Sequence, residues 1–237
     1  MPALGVNIDH IASIREIRHG LEPEPLFAAL ICQVAGADSV VAHLREDRRH
    51  IKEKDVIFLR KAVKTKLNLE MSCADDIVRF ACKLKPDQAT LVPERRQELT
   101  TEGGLDVAAH FAKVKRVSLA LKKAGIVVSL FIDPERLQID AARRLNVLDV
   151  ELHTGRYAQA KTPQAQEKYF KQLAGATAYA RAKGMHVYAG HGLDYYNVSR
   201  IAGIPGIEEL NIGYAIICRA ALVGLAQAVK EMKKLCE

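Results

Sequence analysis

Eight short apolar runs, each closed by polar residues or glycine, start about 22 to 38 residues apart along the chain. That interval leaves room for one helix between consecutive strands, the repeat of a βα unit. Right-handed crossovers between such units close the sheet on itself. The expected strands cover residues 4–8, 38–43, 66–71, 88–92, 126–131, 148–152, 185–189 and 208–212. The pattern predicts a (β/α)8 TIM barrel, one domain over residues 1–237, a usual length for that architecture. An open doubly wound sheet is the alternative fold, but its Gly-x-Gly-x-x-Gly fingerprint after the first strand is missing.

Helical patterning fills the intervals. Helices are expected over 26–34, 53–64, 75–84, 105–123, 134–145, 164–183 and 214–235, with a weaker one over 196–202. Gly36 and Gly125 stop two of them, Pro134 suits the first turn of another, and Ser72 is placed to cap the helix from Asp75. Residues 93–104 are polar and end on two glycines, which suits a lid over a site or a plain surface loop. The third strand alternates: Leu67, Leu69 and Met71 share one face, Asn68 and Glu70 the other. The aliphatic set must meet the helices, so Glu70 points into the barrel.

Cysteine usage speaks against a disulfide framework or structural zinc: five residues, an odd number, with no Cys-x-x-Cys. Cys32, Cys82 and Cys218 fall in apolar helical patterns and are expected in the core. No run approaches the roughly 18 apolar residues of a membrane span, and no basic-then-apolar leader is visible, so a cytoplasmic protein without membrane contact is expected. The formal charge is +7, from 35 basic and 28 acidic residues. Lys and Arg are scattered among acids rather than gathered into arms. A cleft that attracts anionic small molecules therefore fits better than a nucleic-acid face.

In a barrel the C-terminal ends of the strands share one rim. That rim gathers Asn7, Asp9, His43, Glu70, Glu151, His191 and Asn211 from the whole length of the chain. Each has a structural alternative, as a turn cap, a buried imidazole or a barrel ion pair. Together they describe a site for acid–base chemistry. The segment Val40–His50 opens as a strand and ends in a dense run of charges, which alone would also suit a surface loop. Two anion sites are expected. One uses Gly190, Gly192 and Gly213 beside the start of the helix at Tyr214; the other uses Arg45 with His50. Arg18 is a third positive candidate. His10, His43, His153 and His191 with Asp9 offer metal-ligand types. The usual His-x-His and His-x-x-x-His pairs are absent, so no metal is expected.

Several strings resemble the pyridoxine 5'-phosphate synthase family. They include Gly5–His10, His43–His50, Asn68–Met71, Leu91–Glu98, Thr100–Val107, Glu151–Gly155, Ala189–Leu193 and Glu209–Gly213. The resemblance spans essentially the entire chain in order, and strings of this length are specific. It implies a TIM barrel with extra helices, assembled as a homo-octamer and needing no metal or redox cofactor. Such enzymes condense 3-amino-2-oxopropyl phosphate with 1-deoxy-D-xylulose 5-phosphate to form the pyridine ring. The resemblance further implies that His43, Glu70 and His191 move protons and that Glu151 stabilises charge. Asn7, Arg18, Gly192, Gly213 and Tyr214 would bind the amino-ketone phosphate. Asp9, His10, Arg45, His50 and Thr100 would bind the sugar phosphate. Tyr214 departs from the His that follows the glycine in the family pattern, which puts any side-chain role there in question.

A phosphosugar epimerase or isomerase on the same fold would also use strand-end acids, but with one phosphate pocket. A nucleic-acid-binding module would need a continuous basic face. If the positive charge serves a cleft, duplex DNA binds more weakly than micromolar at physiological salt. Tighter binding with a steep salt slope in a titration would contradict that.

Overall fold

The computed structural model describes residues 1–93 and 103–237. Eight parallel strands close into a barrel in sequence order: β1 (Ala3–Asn7), β2 (Ser39–Leu44), β3 (Lys66–Met71), β4 (Gln88–Leu91), β5 (Val127–Ile132), β6 (Asp149–His153), β7 (His186–Gly190) and β8 (Ile207–Ile212). Between and after them run α1 (Asp9–Ile17), α2 (Pro25–Val34), α3 (Glu53–Ala62), α4 (Asp75–Leu84), α5 (Phe111–Lys123), α6 (Arg136–Arg144), α7 (Gly155–Ala158), α8 (Pro163–Ala182), α9 (Val198–Ala202), α10 (Tyr214–Val223) and α11 (Leu225–Cys236). Each expected strand is present within a residue or so of its expected limits, and the open-sheet alternative is excluded by the β1–β8 pairing.

The hydrophobic core lies outside the barrel wall. Leu4, Val6, Val40, Ala42, Leu67, Leu69, Met71, Leu91, Leu130, Ile132, Val150, Leu152 and Leu210 form it together with the apolar faces of the helices. The alternating partners of these residues turn inward and are largely polar. Near the N-terminal end, Glu209 accepts from Ser39 Oγ (3.1 Å) and Lys66 Nζ (2.6 Å), and Lys66 also donates to Gln88 (3.0 Å). One layer up, Thr90 donates to Asn68 (2.9 Å). The aliphatic filling usual in such barrels is replaced here by side chains that need partners.

The helices depart from expectation where backbone N–H groups find other acceptors. Residues 105–110 precede α5 rather than belonging to it. Leu105 N–H donates to the Phe131 carbonyl (2.7 Å), and Val107 N–H to the Gln138 side chain (2.8 Å). α6 begins at Arg136, two residues after Pro134, because Glu135 N–H turns back to the Asp133 carbonyl (2.7 Å). Ser72 is not the cap of α4, whose N-cap is Ala74; its hydroxyl accepts from Ala74 N–H and donates to Glu46 (2.6 Å). The helix α1 was not expected, and α7 interrupts what the sequence suggests is a loop. Cys32 is in the core, but Cys82 is half-buried and Cys218 is exposed on α10.

The expected terminal helix is two helices, divided at Gly224, whose φ of 83° and ψ of 151° suit only glycine. A Cβ there would meet nothing within 4 Å, so the barrier to substitution is backbone strain alone. Gly224→Ala is expected to destabilise the protein by about 1–3 kcal/mol, read by thermal or urea melts. An unchanged melt would show that the α10–α11 corner tolerates another geometry.

Candidate functional site

A cavity of about 1900 Å³ opens at the C-terminal ends of the strands. The sequence-predicted residues Asn7, Asp9, His10, His43, Arg45, His50, Glu70, Glu151, His153, His191, Gly192, Asn211, Gly213 and Tyr214 line it. Arg18 does not. It is exposed at the C-terminal cap of α1, away from the lining. Thr100, and with it residues 94–102 of the expected lid, lies outside the described residues.

Asp9 owes its place to the unexpected helix. Asn7 Oδ1 accepts from Asp9 N–H (2.9 Å), a local turn that ends β1 and starts α1 at once. Asp9 and His10 are therefore in the first turn of α1. Asp9 Oδ1 accepts from the His43 backbone N–H (2.8 Å), and Asn7 Nδ2 reaches both Asp9 (3.1 Å) and Glu70 (3.4 Å). Glu70 stands opposite His43 in the β2–β3 register, its carboxylate 4.0 Å from His43 Nδ1. One ligand-type atom from each of Asp9, His43 and Glu70 lies within 4.8 Å of the others. No spacing search finds that trio, because it comes from three elements.

Burial dominates the electrostatics. It raises the Asp9 carboxyl to about 7, against the bonds from His43 and Asn7 and the charge of Arg45. Burial raises Glu70 well above the ordinary glutamate range, with Glu151 and Asp9 adding repulsion. It also raises Glu151 to about 7, although Asn211 Nδ2 donates to that carboxylate at 2.8 Å. The same burial lowers His43 to about 3, helped by the nearby charge of Arg45, so the ring is neutral at neutral pH. His43 Nε2 is buried and has no hydrogen-bond partner among the described residues.

Two glycines make room for the Glu151–Asn211 pair. A Cβ at Gly190 would come within 2.2 Å of Glu151 Oε1, and one at Gly5 within 2.0 Å of Asn211 Oδ1. At the rim, Gly213 is the N-cap of α10, and Tyr214, 69% exposed, sets its ring edge-on to His10 at 5.2 Å.

The charged run after β2 divides its duties. Arg48 pairs with Glu53 and Asp76 (2.8 Å each), as a surface loop would, whereas Arg49, paired with Asp47 (2.7 Å), also lines the cavity. Arg45 and His50 face the cavity. His50 Nδ1 accepts from Ile51 N–H (2.8 Å), and burial together with Arg45 holds its pKa down to about 4. The neutral ring therefore carries its proton on Nε2, as a donor. Beneath it, buried Arg15 grips Asp55 (2.7 and 2.9 Å) and donates to the His50 carbonyl (3.2 Å). Sequence reasoning did not single out Lys113 on α5 or Arg219 on α10, which also line the cavity, nor Asp133, which partners His153 (3.1 Å). A helix-borne cation looks the same in sequence whether it faces a cleft or water.

The buried carboxyls make a thermodynamic difference that can be measured. A carboxyl raised in the folded state gives stability that is full below its unfolded pKa and is lost as pH rises through its folded one. His43 and His50, lowered in the fold, contribute with the opposite slope between their folded values and 6.5. The Glu70→Gln variant removes only the Glu70 contribution. Its Tm relative to the parent should therefore climb as pH rises from about 4.5, the ordinary Glu value, towards 8. A Tm difference independent of pH would mean that Glu70 ionises as freely in the fold as in water.

Comparison with known proteins adds an independent line. The family model described as "Pyridoxal phosphate biosynthesis protein PdxJ" matches residues 4–237. A pyridoxine 5'-phosphate synthase of Cyanothece sp. (strain PCC 7425 / ATCC 29141) is 55% identical over 234 residues, covering 99% of this chain and 98% of that protein. One from Coxiella burnetii (strain Dugway 5J108-111) is 54% identical over 235 residues, with 99% and 98% covered. Among solved structures, KGPDC from Streptococcus mutans superposes with a TM-score of 0.65 over 100% of this chain and 97% of that one. At 16% identity it speaks for the fold alone.

Proposed function

The chain belongs to the pyridoxine 5'-phosphate synthase family, and from that premise we propose a division of labour among the residues of the barrel mouth. The enzyme condenses 3-amino-2-oxopropyl phosphate with 1-deoxy-D-xylulose 5-phosphate, giving pyridoxine 5'-phosphate, inorganic phosphate and water. Amine and ketone must form an imine with loss of water. A proton then leaves the adjacent carbon, phosphate departs from the sugar-derived partner, and an addition closes the ring. These proton transfers fall on different faces of one ligand, and hydrogen-bond reach is only about 3 Å, so several groups must share them.

The observation that carries the assignment is the facing pair of His43 and Glu70, 4.0 Å apart inside the rim. Neutral His43 has a buried Nε2 with no hydrogen-bond partner among the described residues, and burial keeps the Glu70 pKa well above the ordinary glutamate range. His191 stands across the mouth and serves the opposite face of the ligand. Glu151, fixed by Asn211, gains most from ionising when a cationic iminium lies above it, and so stabilises that charge.

The two anion sites divide the substrates. Backbone N–H groups near Gly192 and at the start of α10 from Gly213 would take the amino-ketone phosphate, with Asn7 beside them. Arg45 and the Nε2–H of His50 would take the sugar phosphate, with Asp9 and His10 on its hydroxyls and Thr100 closing the set. The exposed position of Tyr214 permits the backbone contact without a side-chain one.

Among the described residues no helix is long and apolar enough to cross a membrane. A cytoplasmic location is proposed, in keeping with small phosphorylated substrates. The barrel over 1–237 is read as one domain. A homo-octamer is proposed, supported by the apolar side chains that α1, α2 and their connection leave exposed, among them Ile17, Leu21, Phe27 and Val34. Arg18 lies on that same exposed side of α1.

Glu70→Gln keeps the shape and much of the hydrogen bonding but not the basicity. It should lower turnover by roughly 10²–10⁴-fold while the protein still unfolds in one cooperative transition, its Tm shifted only by the pH-dependent difference given above. Near-normal turnover would remove Glu70 from the proton transfers. A collapsed melt would make it a structural member of the barrel interior.

A further inference from the structure

The strand β6 brings Glu151 to the mouth, but His153 and Thr154, which follow it, have no part in the chemistry assigned above. Both are buried, His153 with 4% of its surface exposed and Thr154 with none. Each touches the loop that carries His191. The His153 ring meets the His191 ring edge to face, with centroids 5.1 Å apart and planes at 66°. Phe131 stands behind, 5.2 Å from His153 and 6.4 Å from His191.

On its other side His153 is anchored. Its Nδ1 lies 3.1 Å from Asp133 Oδ1. That hydrogen bond holds the Asp133 carboxyl below its ordinary range, so Asp133 is an acceptor and Nδ1 carries the proton. A buried ring with one nitrogen tied to a carboxylate has one orientation, and its face or edge becomes a fixed wall.

His191 needs such a wall. Its backbone φ is 80°, in the left-handed region that side-chain-bearing residues rarely adopt, and the residue is exposed at the rim. Thr154 holds that backbone, its hydroxyl placed between the carbonyls of Gly190 (2.7 Å) and His191 (2.6 Å). Backbone clamp and ring wall come from adjacent residues of one strand end.

We propose that His153, oriented by Asp133, is a positioning residue for His191, setting the imidazole at the angle from which it exchanges protons with the ligand. This rests on the reading of His191 as a proton-transfer group. His153 itself transfers no proton to the substrate.

The test is a double-mutant cycle in the full-length enzyme, with both substrates. His153→Phe keeps a flat ring against His191 but loses the bond to Asp133. Its kcat should fall about 10- to 100-fold, the scale of a small misplacement of a reacting group, with KM for each substrate within about twofold. The limb of the kcat–pH profile that vanishes in His191→Asn should shift. In the His191→Asn background the same substitution should cost nothing more, because its effect passes through the missing ring. An undiminished kcat and unmoved pH limb in His153→Phe would overturn the proposal, as would an equal loss in both backgrounds. Should His153→Phe fold poorly, Asp133→Asn makes the same measurement from outside the strand. Native turnover in His191→Asn alone would overturn the reading beneath it, a failure visible in that single variant.

Discussion

The carboxyl groups of Asp9, Glu70 and Glu151 are held inside a closed ring of strands, where charge is costly. Everything at the mouth follows from that cost. It raises all three proton affinities, and it depresses His43 and His50 in the same enclosure. Acids that keep protons and imidazoles that shed them, side by side near neutral pH, are what a sequence of dehydration, enolisation and ring closure requires. A solvent-exposed set of the same residues would titrate apart, the carboxyls near 4 and the histidines near 6.5, and would exchange protons mainly with water.

Such an interior is stable only because the hydrophobic effect is satisfied elsewhere. The aliphatic residues of the strands face outward to the helices, and the barrel centre is left to hydrogen bonds: Glu209 with Ser39 and Lys66, Asn68 with Thr90, Glu151 with Asn211. The wall fixes the register, and the register fixes which polar groups meet. His43 stands opposite Glu70, and His153 opposite Gly190. A slip of one residue would turn each strand's polar set into the aliphatic shell, where those groups would lose their partners.

What could be read from the residues alone was what depends on period. The strand spacing defined the barrel, and the alternation from Leu67 to Met71 placed Glu70 inward. The polar strand ends named most of the mouth. What escaped depends on contacts between distant segments. Asp9 enters the trio with His43 and Glu70 through a helix that starts where a strand end was expected, because Asn7 redirects the chain with its own side chain. Residues 105–110 leave their helix because β5 and Gln138 offer acceptors that the pattern cannot show. Arg48 looks like Arg45 in the sequence, and only its pairs with Glu53 and Asp76 hold it out of the cavity that Arg45 lines. Arg18 is the C-cap of α1 and is not among the residues lining the cavity.

The central claim is that buried carboxyls at the mouth remain protonated close to neutral pH. Infrared difference spectroscopy of the free enzyme observes this directly, through the stretch of the protonated carboxyl carbonyl. The account predicts a band that persists at about pH 6, well above the ordinary carboxyl range, fades only around or above neutrality, and loses intensity when Glu70 is replaced by Gln. Complete ionisation of every carboxyl below about pH 5 would contradict it.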